Sequence, residues 1–221
     1  TYFAIFGALA AFGIGNMIQS NTTAKALSET LGTSNFLVGI VLALLTGMVV
    51  VGGIKRIADV ASYFVPIMVS IYFIGASIVI LNNLSHLGSG IALIFEHAFT
   101  GTAATGGFVG ATLAQTIRFG VARGLFSNES GMGSAPIAAA AAKTNHPGKQ
   151  ALVSMTGTFL DTLIICSLTA LALSSSGVWV SGETGVALTI QAFSSGLPGN
   201  WGNIIVSSSA VTFGFSSILA W

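Results

Sequence analysis

Long apolar stretches separated by shorter polar segments dominate the pattern of this chain. Six of these stretches approach or exceed the roughly 20 residues that an α-helix needs to cross a bilayer. They cover residues 2–18, 36–54, 60–81, 89–113, 152–173 and 201–221. None alternates apolar and polar residues with a period of two, so transmembrane strands are not predicted. The pattern predicts an all-α, polytopic membrane protein in which residues 1–221 form a single transmembrane domain of about six helices.

The composition is typical of a membrane protein and argues against nucleic acid as a partner. Only 6% of the residues are charged and 53% are hydrophobic, whereas soluble chains average about 25% charged residues. A net charge of +1 without any basic tract gives nucleic acid nothing to bind, so the lipid bilayer is the expected environment. The chain starts inside one apolar stretch and stops inside another, so we expect an internal fragment of a longer chain. The pattern leaves the oligomeric state open.

The basic residues predict the orientation in the membrane. Six of the seven Lys and Arg residues fall in two loops that the stretches place on one side. These six are Lys55, Arg56, Arg118, Arg123, Lys143 and Lys149. The positive-inside rule assigns their side to the cytoplasm. Lys25, which follows the first stretch, then lies on the outer face.

Glycines interrupt the fourth apolar stretch. The segment FTGTAATGGFVGATLAQTI, residues 99–117, contains four glycines, two of them adjacent at Gly106 and Gly107. Each costs a helix interior about 1 kcal/mol relative to alanine. A helix opens in hydrocarbon only where its freed backbone groups face protein or a water-filled cavity, so this turn is a candidate ligand site. Close packing of a neighbouring helix on Gly106 and Gly110 is the alternative, and the two are compatible.

Polar side chains inside other apolar stretches are further candidates. Asn16 and Gln19 are three residues apart and share a helix face, where they either hold the bundle together or bind polar ligand groups. Asp161 lies near the middle of the fifth stretch, so it either marks an ion or substrate path or joins a structural network with nearby hydroxyls. Hydroxyls of the last stretch usually join helices. Together with the Phe213 carbonyl they can also supply oxygen ligands to a monovalent cation.

The central run TAATGGFVGATLAQTIRFGVARGLFSNESGMGSAPIAAAAAKT resembles the signature core of the sodium:alanine symporters, the alanine or glycine:cation symporter family. The runs GIGNMIQSN, GGIKRIADVASYFVPIM and FGFSSILAW match other blocks of that family, and the resemblance extends over essentially all 221 residues. It implies a LeuT-type fold with two inverted five-helix repeats. The six stretches would then be core helices 3 to 8, with core helices 1 and 2 before Thr1.

The resemblance also implies a site. The backbone around the paired glycines and an apolar wall from Phe108 would face the substrate, together with the two carboxamides of the first stretch. The implied substrate-binding residues are therefore Asn16, Gln19, Thr105, Gly106, Gly107 and Phe108. The implied sodium ligands are the Phe213 carbonyl and the hydroxyls of Ser216 and Ser217.

The implied function is sodium-coupled import of a small neutral amino acid, alanine or glycine, by alternating access across a bacterial or archaeal plasma membrane. Na⁺ would be the transported coupling ion. Proton coupling through Asp161 is the first alternative, and a channel or a structural membrane subunit are the others. The sequence contains no HExxH motif, no P-loop and no GxSxG with triad partners in reach, so an enzyme is not predicted.

Overall fold

Helices make up every regular element in the part of the chain that the computed structural model describes, residues 2–99 and 135–220. Two π-helical segments, Ala11–Gly15 and Phe159–Cys166, continue one α-helix directly into the next, and a 3₁₀ turn covers Val178–Ser181. The α-helices are α1 (Tyr2–Ala10), α2 (Asn16–Leu31), α3 (Asn35–Val50), α4 (Gly53–Asn82), α5 (Leu84–Phe99), α6 (Ala135–Ala139), α7 (Pro147–Thr158), α8 (Ser167–Ser176), α9 (Val186–Gly196) and α10 (Trp201–Ala220).

Three helical runs among the described residues are long and apolar enough to cross a membrane. They are α4, the continuous run Pro147–Ser176, and α10. α3 is a shorter apolar helix, as is Leu84–Glu96 within α5. The prediction of an all-α chain with membrane-crossing helices is confirmed to this extent.

Helix boundaries differ from the hydropathy pattern at two places. The first helical run continues through the polar segment after residue 18 and ends at Leu31, where Gly32 adopts a left-handed conformation (φ 66°). α3 ends at Val50, four residues before the predicted limit, and Gly53 then turns the chain with a φ of 73°. Both turns need positive φ, which glycine adopts without steric cost.

The described helices divide into two compact units. Unit 1 comprises Thr1–Asn82 and Val178–Trp221, and unit 2 comprises Asn83–Gly177. In unit 1, α10 packs against α2, α4 and α9. Its apolar core combines buried side chains of α2, α3 and α10, namely Ala24, Val38, Leu42, Phe215 and Leu219.

Hydroxyl groups join α2 to α10 in unit 1. The Thr23 hydroxyl donates to the Ala210 carbonyl (3.2 Å), and the Ser207 hydroxyl donates to the Ala26 carbonyl (3.3 Å). Thr30 and Ser207 also share a short hydroxyl–hydroxyl hydrogen bond. Thr23 is fully buried and Ser207 nearly so. Such bonds are the main polar means of holding helices together in lipid, where apolar burial does not drive association.

α9 forms a tight corner with α4 and α10. Its Gly196 faces Val79, and a Cβ built there would lie 2.9 Å from Val79 Cγ1. The Asn82 amide at the end of α4 donates to the Gly196 carbonyl (2.7 Å). Phe193 is fully buried and stacks on Tyr72, with ring centroids 5.4 Å apart.

Unit 2 is built around the long run from α7 to α8. His146 caps its start, because Nδ1 accepts from the Gly148 amide (3.1 Å), and Pro147 occupies the first turn where its missing N–H costs nothing. α8 packs closely on α5 at Gly90, which has no side chain. A Cβ at this position would lie only 3.1 Å from the Ser174 carbonyl carbon. The π-helical segment between α7 and α8 carries Asp161.

Candidate functional site

The face of α2 that packs on α10 repeats at helical spacing. The residues on this face are Asn16, Gln19, Thr23, Ala26 and Thr30, three or four positions apart. α10 presents a matching antiparallel series, Ser217, Gly214, Ala210 and Ser207. The two series therefore bring together residues that are almost 200 positions apart in the sequence.

Three close contacts between α2 and α10 show which residues of the two helices lie opposite each other, that is, their register. Thr23 pairs with Ala210, and Ala26 pairs with Ser207. One turn earlier on α2, the Gln19 carbonyl lies 3.3 Å from where a Cβ on Gly214 would be. Extending the same register by one more turn brings Asn16 level with Ser217. The register therefore predicts that the Asn16 carboxamide and the Ser217 hydroxyl lie at the same height along the two helices.

Asn16 carries a buried oxygen without a partner. Its Oδ1 has no hydrogen-bond partner among the described residues and is shielded from solvent. Leaving such a buried acceptor unsatisfied costs roughly 1–3 kcal/mol. A buried orphan oxygen beside further oxygens is the arrangement expected where a polar ligand or a cation completes the site.

The oxygens predicted as sodium ligands on α10 lie within one turn. The Ser216 hydroxyl donates to the Phe213 carbonyl (3.0 Å) and lies 3.7 Å from Met68 Sδ. The Phe213 ring packs edge-on against Tyr72, with centroids 5.8 Å apart. Ser217 is half-buried on the adjacent position. Tyr72 and Met68 therefore fix the α4 side of this oxygen cluster, a role that the apolar pattern of α4 alone did not indicate.

Gln19 stands beside the same cluster on α2. It is half-buried, and its backbone carbonyl faces Gly214, the residue that follows Phe213. The register thus predicts that Asn16, Gln19 and Ser217 lie at one end of the α2–α10 contact. Phe213 and Ser216 lie within the same turn of α10, with their contacts toward α4. The other predicted substrate-binding residues, Thr105, Gly106, Gly107 and Phe108, lie outside the described residues.

A narrow apolar cavity of about 240 Å³ runs beside this cluster between α4 and α10. Met68 lines it and also contacts Ser216. Ser209 lines it too, and its buried Oγ has no hydrogen-bond partner in the described part of the chain. The α4 wall is aromatic and aliphatic, and the hydroxyls of Ser208 and Thr212 on the α10 wall donate to carbonyls of their own helix. This cavity therefore contributes a mainly apolar environment and not a second polar site.

Asp161 occupies an irregular helix in unit 2. It lies in the π-helical segment Phe159–Cys166 within the 30-residue run Pro147–Ser176, and Thr162 Oγ1 lies 3.4 Å from its Oδ2. The carboxylate is half-buried. π-helical turns often occur at functional sites, since the wider turn frees backbone groups. Both interpretations of Asp161 stay open on this geometry, because a hydroxyl neighbour suits a structural network as well as an ion path.

Three helices long and apolar enough to cross a membrane, in the part of the chain that the structure describes, indicate a polytopic membrane protein. The comparison with known families makes that assignment specific. A profile of the sodium:alanine symporter family matches residues 1–221. The chain belongs to the sodium:alanine symporter family.

Named relatives agree with this family. The chain is 44% identical over 223 residues to the sodium/alanine symporter AgcS of Methanococcus maripaludis, covering 99% of this chain and 48% of the relative. It is 40% identical over 220 residues to the probable sodium/glutamine symporter GlnT of Bacillus subtilis, covering 98% of this chain and 45% of that protein. It is 38% identical over 218 residues to the putative sodium/proton-dependent alanine carrier protein YrbD of Bacillus subtilis, covering 92% and 44%.

The chain spans about half the length of these relatives. The family consists of transport proteins and not enzymes. This confirms the sequence-based prediction of a transport protein that is not an enzyme. A multi-pass position in the plasma membrane follows from the family and the apolar helices together.

Proposed function

We propose that the full-length protein is a sodium-coupled symporter that imports a small neutral amino acid, alanine or glycine, by alternating access. The observation that carries this proposal is the buried, partnerless Oδ1 of Asn16 in register with Ser217. Family membership supports cation-coupled amino-acid transport in general. The oxygen cluster supports a cation as one of the ligands.

The oxygen cluster has the chemistry that Na⁺ prefers. Na⁺ is a hard cation, and transporters bind it through backbone carbonyls and neutral side-chain oxygens at interrupted helices. The ligands proposed are the Phe213 carbonyl and the hydroxyls of Ser216 and Ser217. Asn16, which the family resemblance implied as a substrate-binding residue, is proposed instead to add its Oδ1 to this set, because that oxygen is buried without a partner in the described residues. Gln19 and the backbone of Thr105–Phe108 would face the amino acid. This arrangement needs no buried charge on the protein itself.

The proposed architecture is the LeuT-type fold. The run from α1 to α2 would be core helix 3, and α10 would be core helix 8. In such a fold core helix 1 would close the cation site from the other side. Antiparallel packing of α2 on α10 and the irregular helix at residues 159–166 are compatible with this placement.

Sodium entry supplies enough free energy for uptake. One Na⁺ moving with a membrane potential of ~100 mV gains about 2.3 kcal/mol, and a tenfold gradient adds about 1.4 kcal/mol. Their sum of about 3.7 kcal/mol supports accumulation of a few hundredfold at one-to-one coupling. Coupling requires only that the cation site is complete in the substrate-binding conformation.

Uptake by proteoliposomes tests the proposal. Full-length protein is reconstituted, and sodium and proton gradients are imposed separately while uptake of radiolabelled L-alanine is followed. We expect an inward sodium gradient to drive accumulation and a pH gradient alone to drive none. Competition by unlabelled glycine and glutamine then defines the substrate, a question that the differing names of the relatives leave open. Alanine uptake that does not depend on sodium would contradict the proposal.

Proton coupling is the second candidate, and the π-helical position of Asp161 is the observation in its favour. Asp161→Asn removes the titrating carboxylate and preserves size. Under sodium coupling we expect sodium-driven uptake to stay within about threefold of the wild type, a change below 1 kcal/mol. Asp59→Asn, at an exposed aspartate near the start of α4, is the matched control. Loss of uptake only in Asp161→Asn, together with loss of its pH dependence, would favour the proton instead.

A further inference from the structure

A polar cavity of about 370 Å³ lies where α2 ends and α3 and α9 begin, all within unit 1. It is open to one side and is separate from the oxygen cluster around Ser217. Its volume falls within the usual range for small-molecule sites, roughly 300–1,000 Å³. The orientation predicted from the basic residues puts this end of the unit on the outer face, the side from which an imported molecule arrives.

The cavity combines charges of both signs. Lys25 and Glu29 reach it from α2, and Glu183 reaches it from the segment before α9. None of these three side chains forms an ion pair within the described residues, and all three are exposed. An ammonium and two carboxylates that share one cavity without neutralising each other are available to a ligand that carries both charges.

The start of α9 adds a partial positive charge on one wall. Gly185 precedes the helix with a φ of 64° and provides no side-chain cap, and Val186 and Ala187, the first two residues of α9, line the cavity. Uncapped N-terminal amides attract carboxylates. Each wall of the cavity therefore carries both signs, with Lys25 and Glu29 on α2, and Glu183 close to the first amides of α9.

We infer that this cavity binds a free α-amino acid as a zwitterion, ahead of the transport site. Lys25 and the α9 amides would bind the carboxylate, and Glu29 or Glu183 would bind the ammonium group. A simple anion would meet two carboxylates, and a metal ion would meet the Lys25 ammonium. No cluster of three or more acidic, histidine or cysteine side chains suited to a metal occurs in the described ranges. The choice of an amino acid as the ligand rests on the proposed function.

Protection of an introduced thiol tests this inference on the full-length protein. Thr184→Cys places a thiol on the exposed rim, in a background where Cys166→Ser and the replacement of any other cysteines remove competing thiols. Labelling by a membrane-impermeant maleimide is followed without sodium, so that transport does not interfere. We expect L-alanine at three times its Kd to slow labelling about fourfold. Propionate, which lacks the ammonium, and alaninamide, which lacks the carboxylate, should protect much less.

Charge variants separate this site from a general effect of alanine. Lys25→Gln should raise the alanine concentration needed for protection about threefold to fivefold, the range of an exposed ion pair. Lys55→Gln, an exposed lysine outside the cavity, should leave it unchanged. A thiol at Ser85→Cys, exposed on α5, should not be protected.

Failure of this inference and failure of the proposed function are distinguishable. Sodium-driven uptake without protection at residue 184, or protection that survives unchanged in Lys25→Gln, would overturn the outer site and leave the symporter. Protection without sodium-driven uptake would support an amino-acid site and overturn the symporter instead.

Discussion

Replacing Asn16 by alanine is expected to raise the half-saturating sodium concentration for alanine uptake at least tenfold. Asn16 Oδ1 is buried, lacks a hydrogen-bond partner in the described part of the chain, and lies in register with Ser217. Hydrogen bonds to charged groups are worth about 1.5–3 kcal/mol, and loss of a comparable oxygen–cation contact corresponds to a factor of roughly 10–100. The effect should appear in the sodium dependence, since the substrate meets other residues.

Initial uptake rates at varied sodium measure this effect. Asn16→Asp retains an oxygen at the same position and adds a negative charge, so its sodium affinity should match or exceed that of the wild type. Asn145→Ala, at an exposed asparagine outside the membrane-crossing runs, should behave as the wild type does. An unchanged sodium dependence in Asn16→Ala would remove Asn16 from the cation site.

Replacing Gly214 by alanine is expected to destabilise the protein by disturbing the contact between α2 and α10. A Cβ at this position would collide with Thr23 Oγ1 and lie 3.3 Å from the Gln19 carbonyl oxygen, so either the Thr23 hydroxyl gives up its hydrogen bond to Ala210 or α2 and α10 move apart. Overpacking of this kind typically costs 1–3 kcal/mol. Sodium-driven uptake should fall with it, because the same approach sets the distance between Asn16 and Ser217.

Thermal unfolding of the purified full-length protein in detergent measures the loss of stability in Gly214→Ala. Thr23→Ala in the Gly214→Ala background removes the colliding hydroxyl and should recover part of the lost stability. Gly47→Ala is the matched control, since a Cβ there meets nothing within 4 Å and an alanine favours the helix. Equal stability of Gly214→Ala and Gly47→Ala would mean that α2 and α10 do not approach as closely as described.

Hydropathy predicted the apolar helices, α10 among them, but ended the first helical run too early. The segment after Ile18 is rich in Gln, Asn, Thr and Ser, so its apolar signal ends there, yet α2 continues to Leu31. It does so because Thr23 and Thr30 face α10 and exchange hydrogen bonds with it. Polar residues on a protein-facing helix surface carry no lipid-transfer signal, so a hydropathy pattern cannot distinguish them from a loop.

The candidate site was predictable in its chemistry and not in its geometry. The carboxamides at Asn16 and Gln19 and the hydroxyls near Phe213 were identifiable as polar groups at membrane depth, and the family resemblance assigned them roles. Their alignment depends on one antiparallel register between helices almost 200 residues apart, which no local pattern encodes. The mixed-charge cavity at Lys25 and Glu183 depends in the same way on tertiary contacts.

The hydroxyl-to-carbonyl bonds between α2 and α10 have a consequence for the transport cycle. Breaking them inside hydrocarbon would leave several polar groups without water to replace the lost partner. We therefore expect both helices to move together as one rigid body while other parts of the protein rock around them. This rigid body would keep its part of the proposed cation site intact in both the outward-open and the inward-open state. Release of the cation would then be governed by the helices that move away from α2 and α10.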